Sequence, residues 1–288
     1  MNLRNNCFAL LAGIFIAFPV LAGVSLKGNA VQGGLMEGRV EPGSTVSVDG
    51  TKVRVSAEGV FLIAFGRDHG KSSRFKVTSP DGSVLEQVID VAKREYRIQR
   101  IDGLPKRKVV PNKKDLERIR KESAMIGKAR RRDDRRADFL SGWIWPVEGP
   151  ISGVYGSQRI LNGKPRRPHF GVDIAMPVGT PVKAPADGVV TFIHPDMFFS
   201  GGTMIVDHGH RLSSSFLHLN KILVKEGERV KQGDVIAEVG KTGRVTGAHL
   251  DWRMNYHKHR IDPQLLVPPM PEKAVKTDAK AAMPEKGS

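Results

Sequence analysis

Cysteine is almost absent. Cys7 is the one thiol in 288 residues, which excludes an intramolecular disulfide and a multi-cysteine metal site. Long apolar runs are equally scarce. Only the stretch from Cys7 to Val20, broken by Gly13 and Pro19, is continuously apolar, so a polytopic membrane protein is excluded. No His-Glu-x-x-His occurs, which removes a helical zincin site. Ser213-Ser214-Ser215 lacks the G-x-S-x-G elbow of a serine nucleophile and reads as a polar strand edge. Gly240, Gly243 and Gly247 form no clean dinucleotide fingerprint and no βαβ pattern surrounds them. No repeat of about 20–50 residues is present. Acidic residues are in deficit, with 46 Lys/Arg against 30 Asp/Glu and a net charge of +16.

What is present is an ordinary globular composition, 40% apolar with 31 glycines, and a length that suits about two domains. Arg4 followed by the apolar run and Val20-Leu21-Ala22 reads as an export signal, residues 1–22, cut after Ala22. A retained anchor is the alternative. Cleavage would leave a mature chain without cysteine, which suits an exported protein that does not rely on disulfides.

Residues 23–103 read as a small β-sandwich-like unit. Val46-Ser47-Val48 and Lys52-Val53-Arg54-Val55 alternate at period two around an Asp49-Gly50 turn, and Ser79-Pro80-Asp81-Gly82 marks a second turn. Residues 104–141 form a basic helical linker. Leu104-Pro105 and Val110-Pro111 break the chain, Asn112 offers an N-cap, and Leu116, Ile119, Met125 and Ile126 give loose helical spacing. From Lys106 to Arg136 there are 14 Lys/Arg against 5 Asp/Glu. This suits a solvated linker, or electrostatic contact with an anionic envelope polymer or membrane surface. Export argues against nucleic acid.

Residues 142–267 read as a second β domain, with short strands at Val182-Lys183-Ala184, Gly188-Val189-Val190 and Met204-Ile205-Val206, and paired strands about Gly233-Asp234. Residues 268–288, rich in Pro, Ala and Lys, should be disordered. The whole is a mainly β chain.

Four histidines read as surface residues: His69 in a turn, His194 before Pro195 in a loop, and His257 and His259 about Lys258. Others stand in strand-like, glycine-rich context. His169 and Asp173 are four apart in HFGVD, an even spacing that puts them on one strand face. His249 and Asp251 share a face in HLD, and His218 is the one imidazole of the apolar stretch FLHL.

In order, HFGVD, DHGHRLSSSFLHL, GKTGRVTGAHLDW and IDPQLL resemble the lysostaphin/LytM-type zinc endopeptidases, bacterial cell-wall hydrolases. The resemblance covers about residues 145–267 and implies a LytM-type β fold. It implies zinc as cofactor, held by His169 and Asp173 of His-x-x-x-Asp and by Asp251 at the second position of His-x-His. It implies His218 and His249 as catalytic residues around the attacking water, and a structural His208. Asp251 departs from the family, where a neutral imidazole is usual. A carboxylate is an acceptable zinc ligand, but it makes the site formally neutral and should weaken acidification of bound water. The substrate the resemblance implies is a peptide cross-link of peptidoglycan, cut in a D,D-endopeptidase reaction in a Gram-negative periplasm. Tyr155, Arg159 and Arg167 lie upstream of His169, where they could line a groove.

Two other functions compete. A non-catalytic LytM-like domain would bind wall and activate another peptidoglycan hydrolase. The stretch VKEGERVKQGDVIAEVG also resembles biotinyl/lipoyl carrier folds, with Lys241 as the modifiable residue, but HFGVD and HLDW have no role there. Inhibition by the linker helix or the N-terminal unit is a further expectation. It rests on the position of the basic linker directly before the site.

Overall fold

The computed structural model describes residues 23–101, 113–161 and 163–271. The export signal, the two prolyl breaks of the linker, Asn112 and most of the C-terminal tail therefore lie outside the described residues. The chain is mainly β.

Strands β1 (Ser25–Gly28), β2 (Leu35–Arg39) and β5 (Val60–Ala64) form one antiparallel sheet in that order. A second sheet has the order β4 (Thr51–Val53), β3 (Thr45–Val48), β6 (Ser72–Thr78), β7 (Val84–Asp90). The β3–β4 hairpin closes on Asp49-Gly50. Their φ angles of 46° and 74° are the two positive values a two-residue turn of matching twist needs.

Period two then decides the packing. β5 is buried at all five positions. Phe61 and Ile63 face the second sheet, among Val46, Phe75 and Val77. Val60, Leu62 and Ala64 face the other way, into a core shared with Val172, Leu250 and Trp252 of the C-terminal half. Val60 and Leu62 each contribute about 2 kcal/mol through this burial. Polar ties reinforce the junction: Tyr256 Oη donates to the Leu62 carbonyl at 3.0 Å, and Arg94 pairs with Asp262 at 2.8 Å. β8 (Ile98–Ile101) also crosses over, pairing parallel with β10 (Gln158–Leu161), which continues to β11 (Lys164–Pro165).

The C-terminal half is built on an eight-stranded sheet. Its members are β9 (Ile151–Gly153), β12 (Val172–Ile174), β14 (Gly188–Met197), β15 (Gly201–Asp207), β16 (Leu212–Leu219), β18 (Arg229–Val230), β20 (Leu250–Tyr256) and β21 (His259–Ile261). The order is β18-β14-β15-β16-β20-β12-β9, with β21 on β20. A smaller sheet has the order β13 (Pro181–Lys183), β19 (Val235–Glu238), β17 (Lys221–Ile222).

Several expectations are corrected. Ser213, Ser214 and Ser215 are not a strand edge; they are buried at the middle of the large sheet, where β16 lies between β15 and β20. Burial is tolerated because the hydroxyls of Ser214 and Ser215 find partners in His208, Met254, Arg130 and Asn255. The strands flanking Gly233-Asp234 do not pair with each other; β18 joins the large sheet and β19 the small one. His194 lies within β14, stacked on Phe192, rather than in a loop. His257 and His259 are half-buried, since β20 and β21 close tightly about Lys258. At the start of the tail, the Pro268 carbonyl accepts from Trp145 Nε1 and Met270 packs on the core.

The helix α1 (Lys113–Ala129) is not simply solvated. Leu116 and Met125 are exposed, but Ile126 and Ala129 pack on Phe192, Met197 and Ile205 of the large sheet. Glu122 caps this contact by accepting from Phe198 N at 2.9 Å and from Arg118 Nε at 2.7 Å.

Candidate metal centre

Register places the two carboxylates. β12 runs antiparallel to β20 with Asp173 opposite Asp251. Opposed residues on neighbouring strands share a face and lie about 5 Å apart at Cβ. His169 joins from the segment before β12, held by its own backbone: its N–H donates to Ser157 O and its carbonyl accepts from Gly156 N, both at 2.8 Å. One ligand-type atom from each of His169, Asp173 and Asp251 lies within 4.8 Å of the others.

Two glycines make the room. A Cβ on Gly171 would lie 2.5 Å from Asp251 Oδ1, and one on Gly153 would lie 2.2 Å from Asp173 Oδ2. No side chain larger than hydrogen fits at either position without moving a carboxylate.

The hydrogen bonding is incomplete in a particular way. His169 Nε2 and Asp173 Oδ1 are sealed from solvent and neither has a hydrogen-bond partner, although they lie 3.2 Å apart, misaligned for such a bond. Buried polar atoms of this kind are rare and costly. A cation between them would satisfy both, and the donor set of one imidazole nitrogen and two carboxylates suits zinc. The site therefore fits a metal by its own geometry.

Asp251 has a second neighbour that the sequence reading passed over. Arg253 Nε donates to Asp251 Oδ1 at 2.9 Å, and its terminal nitrogen reaches Oδ2 at 2.5 Å. Asp251 is 2% exposed. Burial alone would raise its pKa, but the guanidinium charge outweighs burial and the pKa is lowered. Arg253 was legible in principle: it lies two residues on in the same strand, hence on the same face. Burial also works against a charged His169, yet the carboxylates of Asp173 and Asp251 outweigh it and raise its pKa.

His218 and His249 stand beside this group, their ring centroids 4.8 Å apart. His249 Nε2 is 3.8 Å from Asp173 Oδ1. His249 Nδ1 bonds to Gly247 O at 3.0 Å and His218 Nδ1 to Thr242 O at 2.9 Å. A carbonyl can only accept, so each Nδ1 carries the proton and each Nε2 of the neutral ring is left as an acceptor. Burial lowers the pKa of His218 and keeps it neutral at pH 7. His218 has φ +66°, rare for a residue with a Cβ. The cause is an irregularity in the β15–β16 ladder between Met204 and Gly202, which gives β16 an extra residue and turns the imidazole toward the site.

The other expected residues divide. His208 is fully buried away from the site, bonded to Asp187 O at 2.6 Å and Ser214 Oγ at 2.8 Å. Tyr155 lines no groove: it is 2% exposed, with its hydroxyl on Arg260 O. Arg159 has its backbone in β10 and its side chain outside the described residues. Arg167 is exposed, with its guanidinium 5.6 Å from the Phe170 ring.

Comparisons with known proteins point to one family. The profile of Peptidase family M23 matches residues 167–263, a span that contains His169, Asp173, His218, His249 and Asp251. A crystal structure from Pseudomonas aeruginosa assigned to peptidase M23 is 32% identical, with a TM-score of 0.65, covering 83% of this chain and 95% of that one. The peptidoglycan DD-endopeptidase ShyA of Vibrio cholerae is 32% identical over 199 residues, 67% of this chain and 42% of ShyA. The peptidoglycan DD-endopeptidase ShyC of the same organism is 46% identical over 84 residues, 29% of this chain and 19% of ShyC. The chain thus spans less than half the length of these two curated relatives.

Proposed function

The chain belongs to peptidase family M23, and from that premise we propose that it is a zinc-dependent endopeptidase that hydrolyses peptide cross-links of peptidoglycan in the bacterial envelope. The observation that carries the proposal is the pair of orphaned atoms, His169 Nε2 and Asp173 Oδ1, 3.2 Å apart beside Asp251. The two endopeptidase relatives support the substrate class.

His169, Asp173 and Asp251 would hold the metal. When bound, zinc supplies a Lewis acid for a peptide carbonyl and an acidified water. The residues of the chain do the rest. His218 and His249 each carry the Nδ1 proton on a carbonyl, of Thr242 and of Gly247, which fixes the direction in which each Nε2 faces the site. One ring can take the proton of the attacking water, and the other, once protonated, can donate to the oxygen that gains charge. Arg253 answers the departure at the third ligand. Two carboxylates against a divalent ion give a formal charge of zero; the guanidinium on Asp251 brings the group back to about +1, the value for one carboxylate and two imidazoles. A carboxylate with an arginine thus does electrostatically what an imidazole does alone.

The test is metal analysis of residues 23–288, wild type beside Asp251→Ala, followed by assay on cross-linked peptide dimers from peptidoglycan. We expect about one zinc per chain, lost in the variant, and cleavage by the wild type alone. A wild type free of metal after zinc addition and dialysis would sink the enzyme reading and favour a wall-binding activator of another hydrolase.

A further inference from the structure

A cleft of about 490 Å³ opens between α1 and the face of the large sheet, with His218 in its wall. Its lining holds eight Lys and Arg residues and one carboxylate, Glu122. Glu122 is already engaged by Arg118 and by Phe198 N. Among the described residues no carboxylate pairs with Arg130, Arg167 or Arg260. Arg130 follows the last turn of α1 and reaches across to β16, donating to Ser215 Oγ at 3.0 Å. Its Nε is sealed from solvent and has no partner. Among the described residues, the Arg260 guanidinium donates to the amide oxygen of Asn255 and to no carboxylate. Burial, and then the charges of Arg260, Arg253 and Arg167, depress the pKa of Arg130.

Such a group is unfavourable by itself. Like charges repel, and an enclosed guanidinium with no directly paired carboxylate carries a desolvation cost that the Ser215 hydroxyl and the more distant Asp251 offset only in part. The arrangement makes sense when the counterion arrives with a ligand. Guanidinium forks match carboxylates bidentately. The cleft shares His218 and Arg253 with the metal centre, so a group seated in it is attached to whatever is being cut.

We propose that Arg130, Arg167 and Arg260 form a carboxylate-binding subsite that selects acidic peptides, seating a free carboxylate of the substrate beside the scissile bond. The inference rests on the peptidase reading for the identity of the substrate, since peptidoglycan stem peptides carry free carboxylates. It gives α1 a different role from a plug or a solvated spacer: the helix supplies Arg130 to the substrate cleft.

The probe is an uncrosslinked stem peptide, which bears the same carboxylates and no cross-link to be cut, beside the same peptide amidated by carbodiimide. Binding to the full zinc-loaded chain is measured by calorimetry, with inorganic phosphate as a competitor. Loss of a charge-assisted carboxylate contact corresponds to about tenfold or more in affinity. The wild type should therefore bind the free acid at least about tenfold more tightly than the amide. Arg130→Gln and Arg167→Gln should each erase that preference and leave affinity for the amide unchanged; exposed Arg167 keeps the test open if Arg130→Gln fails to fold. Equal binding of both peptides, or binding of neither, overturns the proposal. So does phosphate binding as tightly as the acid, which would mark a general anion sink. Faster cleavage of both free and amidated cross-linked dimers by Arg130→Gln would also overturn it, and would make α1 an inhibitory plug. A chain that prefers the acidic stem peptide yet cuts no cross-link would refute the peptidase reading and leave this subsite standing.

Discussion

Replacing Arg253 with glutamine separates two roles that one guanidinium holds. The first is structural. Asp251 is 2% exposed and takes bonds of 2.5–3.1 Å from Arg253. Breaking a buried pair from one side costs about 3–5 kcal/mol, because the remaining charge is left dry and unanswered. At about 2–4 °C per kcal/mol for a chain of this size, the melting temperature in chelator should fall by about 6–20 °C. Zinc should recover much of the loss, since it answers the same carboxylate. The second role is electrostatic. Taking a separation of about 6 Å from the reacting centre and an effective dielectric of about 20, removal of a unit positive charge withdraws about 3 kcal/mol, or about two pH units. Loss of positive charge makes a proton harder to remove. The acid limb of the pH–rate profile should therefore move upward by about two units. Scanning calorimetry with and without zinc, and kcat/KM from pH 5 to 10, would read both. A melting temperature in chelator within about 2 °C of wild type, together with an unmoved acid limb, would refute the compensation argument outright.

Four further outcomes follow from the same geometry. Alanine at His218 or His249 should lower kcat by about 10²–10⁴ while zinc content stays near one per chain, because neither ring is a proposed ligand; loss of metal from either variant would redraw the ligand set. Gly171→Ala places a Cβ 2.5 Å from Asp251 Oδ1 and should reduce zinc retention; a fully metallated, active variant would show that the carboxylate has room to move. Burial pushes the His208 imidazole down to about 4, so its nitrogen resonances should report a neutral ring at pH 5.5; a charged ring there would mean that its pocket is wet. Truncation to Ser141 should not raise activity, because it removes Arg130 and uncovers Phe192, Met197 and Ile205; a gain would revive inhibition by the linker.

The hairpins about Asp49-Gly50 and Ser79–Gly82 were legible because two or four residues of turn chemistry set them locally. The Gly233-Asp234 turn carried the same signal and misled, since its flanking strands are only Arg229–Val230 and Val235–Glu238 and each paired elsewhere, the first on β14 and the second between β13 and β17. Ser213-Ser214-Ser215 read as an edge because composition alone suggests exposure. Its burial depends on partners 6, 40 and 85 residues away.

The mainly β chain was legible in the sequence, and the order of its motifs pointed to the family and, through it, to His169, Asp173, His218, His249 and Asp251 as the proposed set. Local spacing suggested only the pairings of His169 with Asp173 and of His249 with Asp251, since alternate residues of a strand share a face whatever the strand pairs with; the set as a whole was what the resemblance implied. Only the tertiary structure decided what surrounds them. It put Asp173 opposite Asp251 through the β12–β20 register, turned His218 inward through an extra residue in β16, and brought Arg130 from the end of α1 to Ser215. Those facts depend on which strand lies beside which and on how a helix seats against a sheet. Such long-range choices are settled by the burial of whole faces, and no window of sequence contains them.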